Sequence, residues 1–247
     1  MPFDLRRVNQ EFEKSSAVAL LQWALKTFGA KLTLASSFGA EDVVLIDILT
    51  KFEPKIRVFT LDTGRLNEET YQVVDEVRRK YGIQIHSYFP KVEAVQSLEY
   101  RKGFYSFRES VENRKECCQV RKVEPLWRAL EGMEAWVMGL RRAQAVTRTE
   151  LKKVEIDDAH PGLYKINPLA DWSEEDVWNY IKKNSVPYNQ LHDRGYRSIG
   201  CAPCTRAVKP GEDVRAGRWW WEDPEHKECG LHLKPKEEDR GQKTEDR

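Results

Sequence analysis

The residues of this chain most able to do chemistry are its five cysteines, and they fall into three groups. Cys117 and Cys118 are adjacent in "KECCQVRK"; Cys201 and Cys204 form a C-x-x-C in "IGCAPCTR"; Cys229 stands alone in the charged stretch "EHKECGLHLKPKEED". An odd number of thiols does not suit a complete disulfide framework, and it points to metal binding or catalysis. The two pairs supply four soft ligands, enough for a tetrahedral zinc ion or an iron–sulfur cluster. Zinc knuckles separate their cysteines so that one turn wraps a small ion. Adjacent cysteines diverge and suit a larger object, such as a cuboidal [4Fe–4S] cluster. Two other readings compete. Cysteine is commonly a small buried hydrophobe, and a C-x-x-C can be a redox pair. The redox reading wants a strand-to-helix context early in a small α/β fold, whereas this pair comes late, in an irregular stretch.

Cys229 has the surroundings of a reactive thiol. His226, Lys227 and His232 favour the thiolate, and Glu228 opposes it. Gly230 lets the backbone bend close to a ligand. The competing reading is a stray thiol in a polar tail.

Anion chemistry is suggested elsewhere. "LASSFGAEDVVL" reads as strand, short polar loop and helix. The hydroxyls of Ser36 and Ser37, with the backbone N–H groups of Phe38, Gly39 and Ala40, would lie at the positive end of the helix. The glycines and lysine of a Walker loop are missing, and so is the double glycine of an "SGGxDS" loop. In "FTLDTG", Asp62 and Thr63 end a strand, where a carboxylate can take a ribose hydroxyl or an adenine amine. An aspartic-protease dyad would need a second "DTG", and the chain has one. Arg141 and Arg142 follow the strand of "VMGLRR"; Arg215 and Arg218 sit in "VRAGRWWWED". Arginine forks suit phosphate or sulfate oxygens. The three tryptophans beside them are more often packing than a platform for bases.

The elements that must position these groups alternate. The segment containing Leu5, Val8, Phe12, Leu20 and Trp23 reads as a helix that exits at Gly29. "KLTLASS", "IRVFTL" and "IQIHSY" read as strands, with helices over "GAEDVVLIDILTKF" and "LNEETYQVVDEVRRKYG" between them, the second capped by Asn67 and stopped at Gly82. This order predicts an α/β fold: a parallel sheet with flanking helices, and loops gathered on one edge. Residues 91–130 read as mostly helical, "EAWVMGL" as a buried strand, "LYKINPLADW" as extended, and "SEEDVWNYIKKN" as a helix opened by Ser173 and Asp176. We expect one domain over residues 1–233, with a nucleotide-binding core at about 30–187, an irregular, cysteine-containing C-terminal segment at about 188–233, and a mobile charged tail over 234–247.

The totals exclude several classes. The 247 residues are 40% hydrophobic and 33% charged, with a formal net charge of +1. That is a globular composition without the bulk basic field of a nucleic-acid or lipid binder. No apolar run is long enough to cross a bilayer, and the first residues lack a signal-peptide core. The expected location is the cytoplasm, where thiols stay reduced.

Taken together, "SSFGAEDVVL", "LDTG", "CC" with a later "CxxC", "GLRR" and "ECGLH" resemble the adenylyl-sulfate (APS) reductases of assimilatory sulfate reduction, over about residues 30–232. The resemblance implies an adenine-nucleotide α-hydrolase-like (Rossmann-like) fold. It implies a [4Fe–4S] cluster on Cys117, Cys118, Cys201 and Cys204, and Cys229 as nucleophile. By motif position it implies Lys122, Arg215, Arg218 and His232 as active-site basic residues. It places Ser36, Ser37, Gly39, Asp62, Gly64 and Arg141 in nucleotide-contacting motifs. APS is the implied substrate and thioredoxin the implied reductant, with no membrane or nucleic-acid partner; a homo-oligomer is compatible. The expected product is sulfite with AMP, formed through an enzyme S-sulfocysteine. Two alternatives are reduction of the 3′-phosphorylated nucleotide (PAPS) with the cluster retained, and a metal-stabilised nucleic-acid-binding module. The PAPS reductases keep "ECGLH" but lack the cysteine pairs, which favours APS. One departure stands out: after "GLRR" the family often has an acid and then Gln-Ser, whereas this chain has Ala143, Gln144, Ala145 and Val146. An altered nucleotide contact is expected there.

Overall fold

The structure is a computed structural model that describes residues 3–144 and 148–223. Two helices, not one, open the chain: α1 (Leu5–Phe12) and α2 (Ala17–Phe28). The break comes from Ser16, which adopts extended backbone and accepts the Ala19 N–H on its hydroxyl, capping α2. The even apolar spacing hid that cap.

Strand β1 (Leu32–Ala35), helix α3 (Ala40–Thr50), strand β2 (Arg57–Leu61), helix α4 (Glu68–Tyr81) and strand β3 (Ile85–Tyr88) follow in the expected order. Gly82 ends α4 in the left-handed conformation, φ 64°, where a side chain would be strained. Helices α5 (Val92–Lys102), α6 (Val111–Cys118) and α7 (Glu124–Leu130) fill the middle, with a π turn (Gln119–Val123) between the last two. Strand β4 (Ala135–Val137) returns to the sheet. Strands β5 (Val154–Ile156) and β6 (Tyr164–Ile166) then lead to α8 (Glu174–Asn184), whose Ser173–Asp176 capping box is formed in both directions.

The six strands lie in the order β3-β2-β1-β4-β6-β5. Every pairing is parallel except β5 with β6. That antiparallel edge was not expected from the sequence: three residues are too few to show alternation. The sheet is buried on both faces with a period of two. Val58, Ala135 and Val137 join the larger core, which includes α2, α3 and α8 residues, while Phe59, Trp136 and Met138 join Leu126, Ala129 and Leu130 of α7 on the other side. Nine α3 residues are buried, including the charged Asp47. Asp47 accepts from Tyr81, Tyr180 and Lys51 at 2.9, 2.7 and 2.6 Å, so α3, α4 and α8 meet on one carboxylate. The chain reverses its direction of winding between β1 and β4. The carboxyl ends of those two strands form the crevice in which open α/β sheets bind ligands.

Candidate active site

At that crevice lies a cavity of about 240 Å³. Its lining includes Ser36, Ser37 and Gly39 after β1, Thr60 and Leu61 at the end of β2, and Met138, Gly139, Leu140 and Arg141 after β4. Lys122 enters from the π turn, and Arg215 and Arg218 from the C-terminal stretch. Of the ten non-cysteine residues expected at the site, seven therefore meet here. Asp62 and Gly64 do not line this cavity, and His232, with Cys229, lies outside the described residues.

The loop after β1 is held by its own groups. The Phe38 N–H donates to Ser36 Oγ at 3.1 Å. Both the N–H and the hydroxyl of Ser37 donate to Asp42 Oδ2, at 2.6 and 2.8 Å. Phe38 takes a positive φ, 58°, and its ring is fully buried, so core packing offsets the backbone strain. Burial pushes Asp42 up to about 6, against the lowering effect of its two Ser37 bonds. The serine hydroxyls thus brace the loop that borders the cavity.

Asp62, expected as a nucleotide-contacting carboxylate, is engaged within its own turn. It is buried, accepts the Gly64 N–H at 2.8 Å, and accepts the Tyr71 hydroxyl at 3.0 Å. Its carboxylate stabilises the turn after β2. Gly64 allows that turn by its φ of 69°. Thr63, between them, lines the cavity and reaches outward: its hydroxyl lies 3.2 Å from Cys201 Sγ, and its carbonyl accepts from Arg121 at 2.8 Å. The "LDTG" motif is therefore part of a wall between two sites.

The second site is a smaller cavity lined by all four paired cysteines, with Arg65, Arg114, Arg121, Lys122 and Arg218 around them. Cys117 and Cys118 sit in the last turn of α6, and both reach the cavity. Cys201 and Cys204 come from a 3-10 turn that Arg65 holds through its carbonyl, which accepts the Ala202 N–H at 2.8 Å. All four thiols are free of disulfides. Burial pushes Cys204 up to about 12 and raises Cys117 as well. Cys201 is also buried, yet the Lys122 charge and the Thr63 hydrogen bond bring it below the usual thiol range. Among the described residues, no group of three or more His, Cys, Asp or Glu side chains is placed to hold a metal ion. The donor set nonetheless fits a cluster in its chemistry. Each iron of a [4Fe–4S] cluster takes one protein thiolate, so four thiols distributed around a shared space are what it needs, and the cationic rim offsets thiolate charge.

Lys122 and Arg218 line both cavities. The π turn accounts for the first. Its wider winding lets successive residues serve both sites: Arg121 is tied to Thr63 and to Glu99 at 2.6 Å, while Lys122 faces both spaces. Such turns recur at functional sites. Arg218 is held by an antiparallel bridge to Thr205, just past the C-x-x-C.

Arg141, an expected site residue, is buried and ion-paired to Glu41 at 2.8 Å. Around it are residues that the sequence reading passed over. Gln144, which lies between the departures Ala143 and Ala145, donates to Glu41 at 2.9 Å and accepts from the Arg141 N–H at 3.1 Å and from Arg148 at 2.6 Å. Arg148, His192 and Arg197 line the cavity too. Gly139 had a readable signal, a glycine directly at a strand end: a Cβ there would lie 2.4 Å from Asp42 Oδ1 and 2.8 Å from Glu41 Cβ. Arg148, His192 and Arg197 gave none.

Comparison with known proteins agrees with this architecture. The profile of the phosphoadenosine phosphosulfate reductase domain matches residues 31–207. The chain belongs to the phosphoadenosine phosphosulfate reductase family. Among its relatives, the adenosine 5′-phosphosulfate reductase of Allochromatium vinosum is 54% identical over 89% of this chain and 85% of that protein. The same-named protein of Pseudomonas aeruginosa (strain LESB58) is 47% identical over 94% of this chain and 87% of its own length. The chloroplastic 5′-adenylylsulfate reductase 3 of Arabidopsis thaliana is 46% identical over 93% of this chain but only 51% of that protein. Among solved structures, the phosphate complex of phosphoadenylyl-sulfate reductase from Candida auris matches with a TM-score of 0.72 and 30% identity, over 84% of this chain and 99% of that one. The adenine-nucleotide fold expected from the family resemblance is thereby borne out. Among the described residues, no helix is long and apolar enough to cross a membrane.

Proposed function

We propose that this chain is a reductase of adenylyl sulfate, producing sulfite and AMP for sulfate assimilation. The relatives named for that reaction support the substrate. The observation that carries the reading is the shared wall: Lys122 and Arg218 stand between a nucleotide-sized cavity at a sheet switch point and a cavity of four thiols.

Adenosine occupies the crevice between β1 and β4, with the phosphosulfate toward Lys122, Arg215 and Arg218. The Cys229 thiolate attacks the sulfate sulfur, and the bond from that sulfur to the bridging oxygen breaks. AMP departs with the electron pair, its growing charge met by the three cations. Cys229 is left as an S-sulfonate. A thioredoxin thiolate then attacks the Cys229 sulfur and expels sulfite. The mixed disulfide is resolved by the second thiol of thioredoxin, which supplies both electrons. His232 belongs with the basic groups that assist Cys229. Cys117, Cys118, Cys201 and Cys204 would hold the [4Fe–4S] cluster. When bound, it supplies a rigid cross-link between α6 and the 201–204 turn and a fixed local field at Lys122 and Arg218.

The test is intact-mass analysis after mixing with APS in the absence of reductant. A gain of one SO3 group, mapped to Cys229 and removed by thioredoxin, is the expected result. Active protein that never carries the adduct, or a Cys229→Ser variant that still forms sulfite, overturns the covalent reading. Running PAPS in parallel measures which nucleotide is preferred.

A further inference from the structure

The C-terminal stretch is fastened to the cysteine helix by a contact that the proposed reaction leaves unused. Arg114, on α6 one turn before Cys118, has a side chain that is 1% exposed; Glu222 is 3% exposed. They form a two-point pair, Arg114 Nε to Glu222 Oε1 and Nη2 to Oε2, both 2.9 Å. Beside it, the Trp219 ring lies between two guanidiniums, those of Arg114 and Arg218, each 4.6 Å from the ring centroid. The Glu222 N–H closes a turn onto the Trp219 carbonyl at 2.9 Å, and the Trp219 N–H donates to the Cys204 carbonyl at 3.1 Å. One continuous set of contacts therefore joins both cysteine pairs, the cavity-lining Arg218, and the point where the chain leaves Glu222.

Sequence distance gives that point its meaning. Cys229 lies seven residues beyond Glu222. A chain of that length, fully extended, spans at most about 25 Å. Whatever fixes Glu222 therefore fixes the centre of the volume in which the thiol can be found. Two buried charges are also costly to bring out of water, and such pairs are commonly neutral in stability against an apolar replacement. What a two-point ion pair adds over an apolar contact is one defined geometry.

We propose that Arg114 and Glu222 are positioning residues for the reaction: a buried anchor that sets the departure point of the segment carrying Cys229 and so its concentration at the bound phosphosulfate. This rests on Cys229 as the nucleophile, and the experiment separates the two claims.

The measurement is the single-turnover rate of SO3 transfer to Cys229 of the full-length holoprotein at saturating APS. Three quantities are read beside it: AMP affinity, iron per chain, and alkylation of Cys229 by iodoacetamide without nucleotide. Glu222→Gln is expected to slow the transfer tenfold or more, with AMP affinity, iron and alkylation all within twofold of the parent. A rate within twofold, or a loss matched by equal loss of iron or AMP affinity, overturns the anchor. Absence of adduct on the parent protein instead overturns the role of Cys229, and the anchor with it.

If Glu222→Gln does not fold, the pair Arg114→Gln/Glu222→Gln leaves no lone buried charge and carries the same expectation. A separate variant leaves the pair untouched and inserts eight Gly/Ser residues after Asp223. Lengthening the tether from an anchored point lowers effective concentration by roughly the three-halves power of length, about threefold here. In the Glu222→Gln background the same insertion is expected to cost less than it does in the parent, because the tether is already longer. An insertion without effect on the parent overturns the anchor independently.

Discussion

Around Ser37 the larger cavity is bordered by polar groups that satisfy one another: Asp42 takes both Ser37 donors, and Glu41, Arg141 and Gln144 close a second circuit. Around Cys204 the smaller cavity is the reverse. Its thiols come from α6 and from the 201–204 turn, segments far apart in sequence, and burial holds Cys117 and Cys204 as neutral thiols beside several cations. The larger cavity is a product of the sheet and stands ready once β1, β2 and β4 have paired. The thiol cavity is a product of loops and has its charge balance only when four thiolates are stabilised by something else. A site of the first kind is expected to survive loss of the second.

The largest expected effect tests that asymmetry. Cys201→Ser removes one of the four thiols proposed to hold the cluster, and on that reading iron and labile sulfide per chain are expected to fall to near zero. Sulfite formation is expected to drop by about 100-fold or more, the upper part of the range seen when a metal site's supports are removed. AMP binding, measured by calorimetry, is expected to stay within threefold, because no sheet element is touched. Loss of AMP binding in proportion to iron would show that the cavities form one cooperative unit.

The next effect belongs to the larger cavity and is read through pH. Asp42 sits near 6 in the folded protein, against about 3.9 for an unfolded aspartate. The folded state therefore keeps its proton over a range where the unfolded state has lost it. Stability contributed at this position falls as pH rises from about 4 to about 6; the cost is absent below that window and complete above it. Two units correspond to about 3 kcal/mol at most. Urea unfolding of the parent and of Asp42→Asn across pH 4 to 7 isolates this group, because every other titration is common to both. The difference between them is expected to change across that window and to be flat above it. A difference independent of pH would mean that Asp42 is already ionised at pH 4. Iron content is expected to be the same in both.

The same contrast governs what was legible in sequence. The larger cavity was readable because its parts are local: a strand, a loop and a helix in "LASSFGAEDVVL", and a strand ending at "GLRR". Position in an alternating β-α order suffices to bring their ends together. The thiol cavity was readable only as chemistry. Four soft ligands suggested a shared object, but nothing local says that the end of α6 meets a turn from a remote segment, nor that a π turn follows Cys118. The bonds that Asp62 makes were out of reach for a related reason. A carboxylate at a strand end has two uses, binding a ligand or closing its own turn, and the choice depends on Tyr71, a turn away on α4. The break between α1 and α2 and the β5–β6 edge were lost to short range: a serine cap inside an even apolar period, and strands of three residues.

Two glycines of the larger cavity, one packed on the start of α3 and one on the arginine shared with the thiol cavity, give the finest version of the comparison. At Gly139 an added Cβ meets Asp42 Oδ1 at 2.4 Å and Glu41 Cβ at 2.8 Å, atoms fixed at the start of a buried helix. At Gly200 it meets only the end of Arg218, with Nη2 at 2.5 Å and Cζ at 2.7 Å, and a guanidinium can swing aside. Gly139→Ala is therefore expected to cost about 1–3 kcal/mol of stability, the usual price of overpacking, and to weaken AMP binding while leaving iron per chain unchanged. Gly200→Ala is expected to leave stability within about 0.5 kcal/mol and AMP binding within twofold. Its effect falls on KM for APS, raised severalfold, because the displaced arginine faces the sulfate end rather than the nucleoside. Urea unfolding, calorimetry with AMP and steady-state kinetics with APS separate these patterns. If both alanines weaken AMP equally, Arg218 contacts the nucleoside end of the cavity, and the direction assigned to the substrate must be reversed.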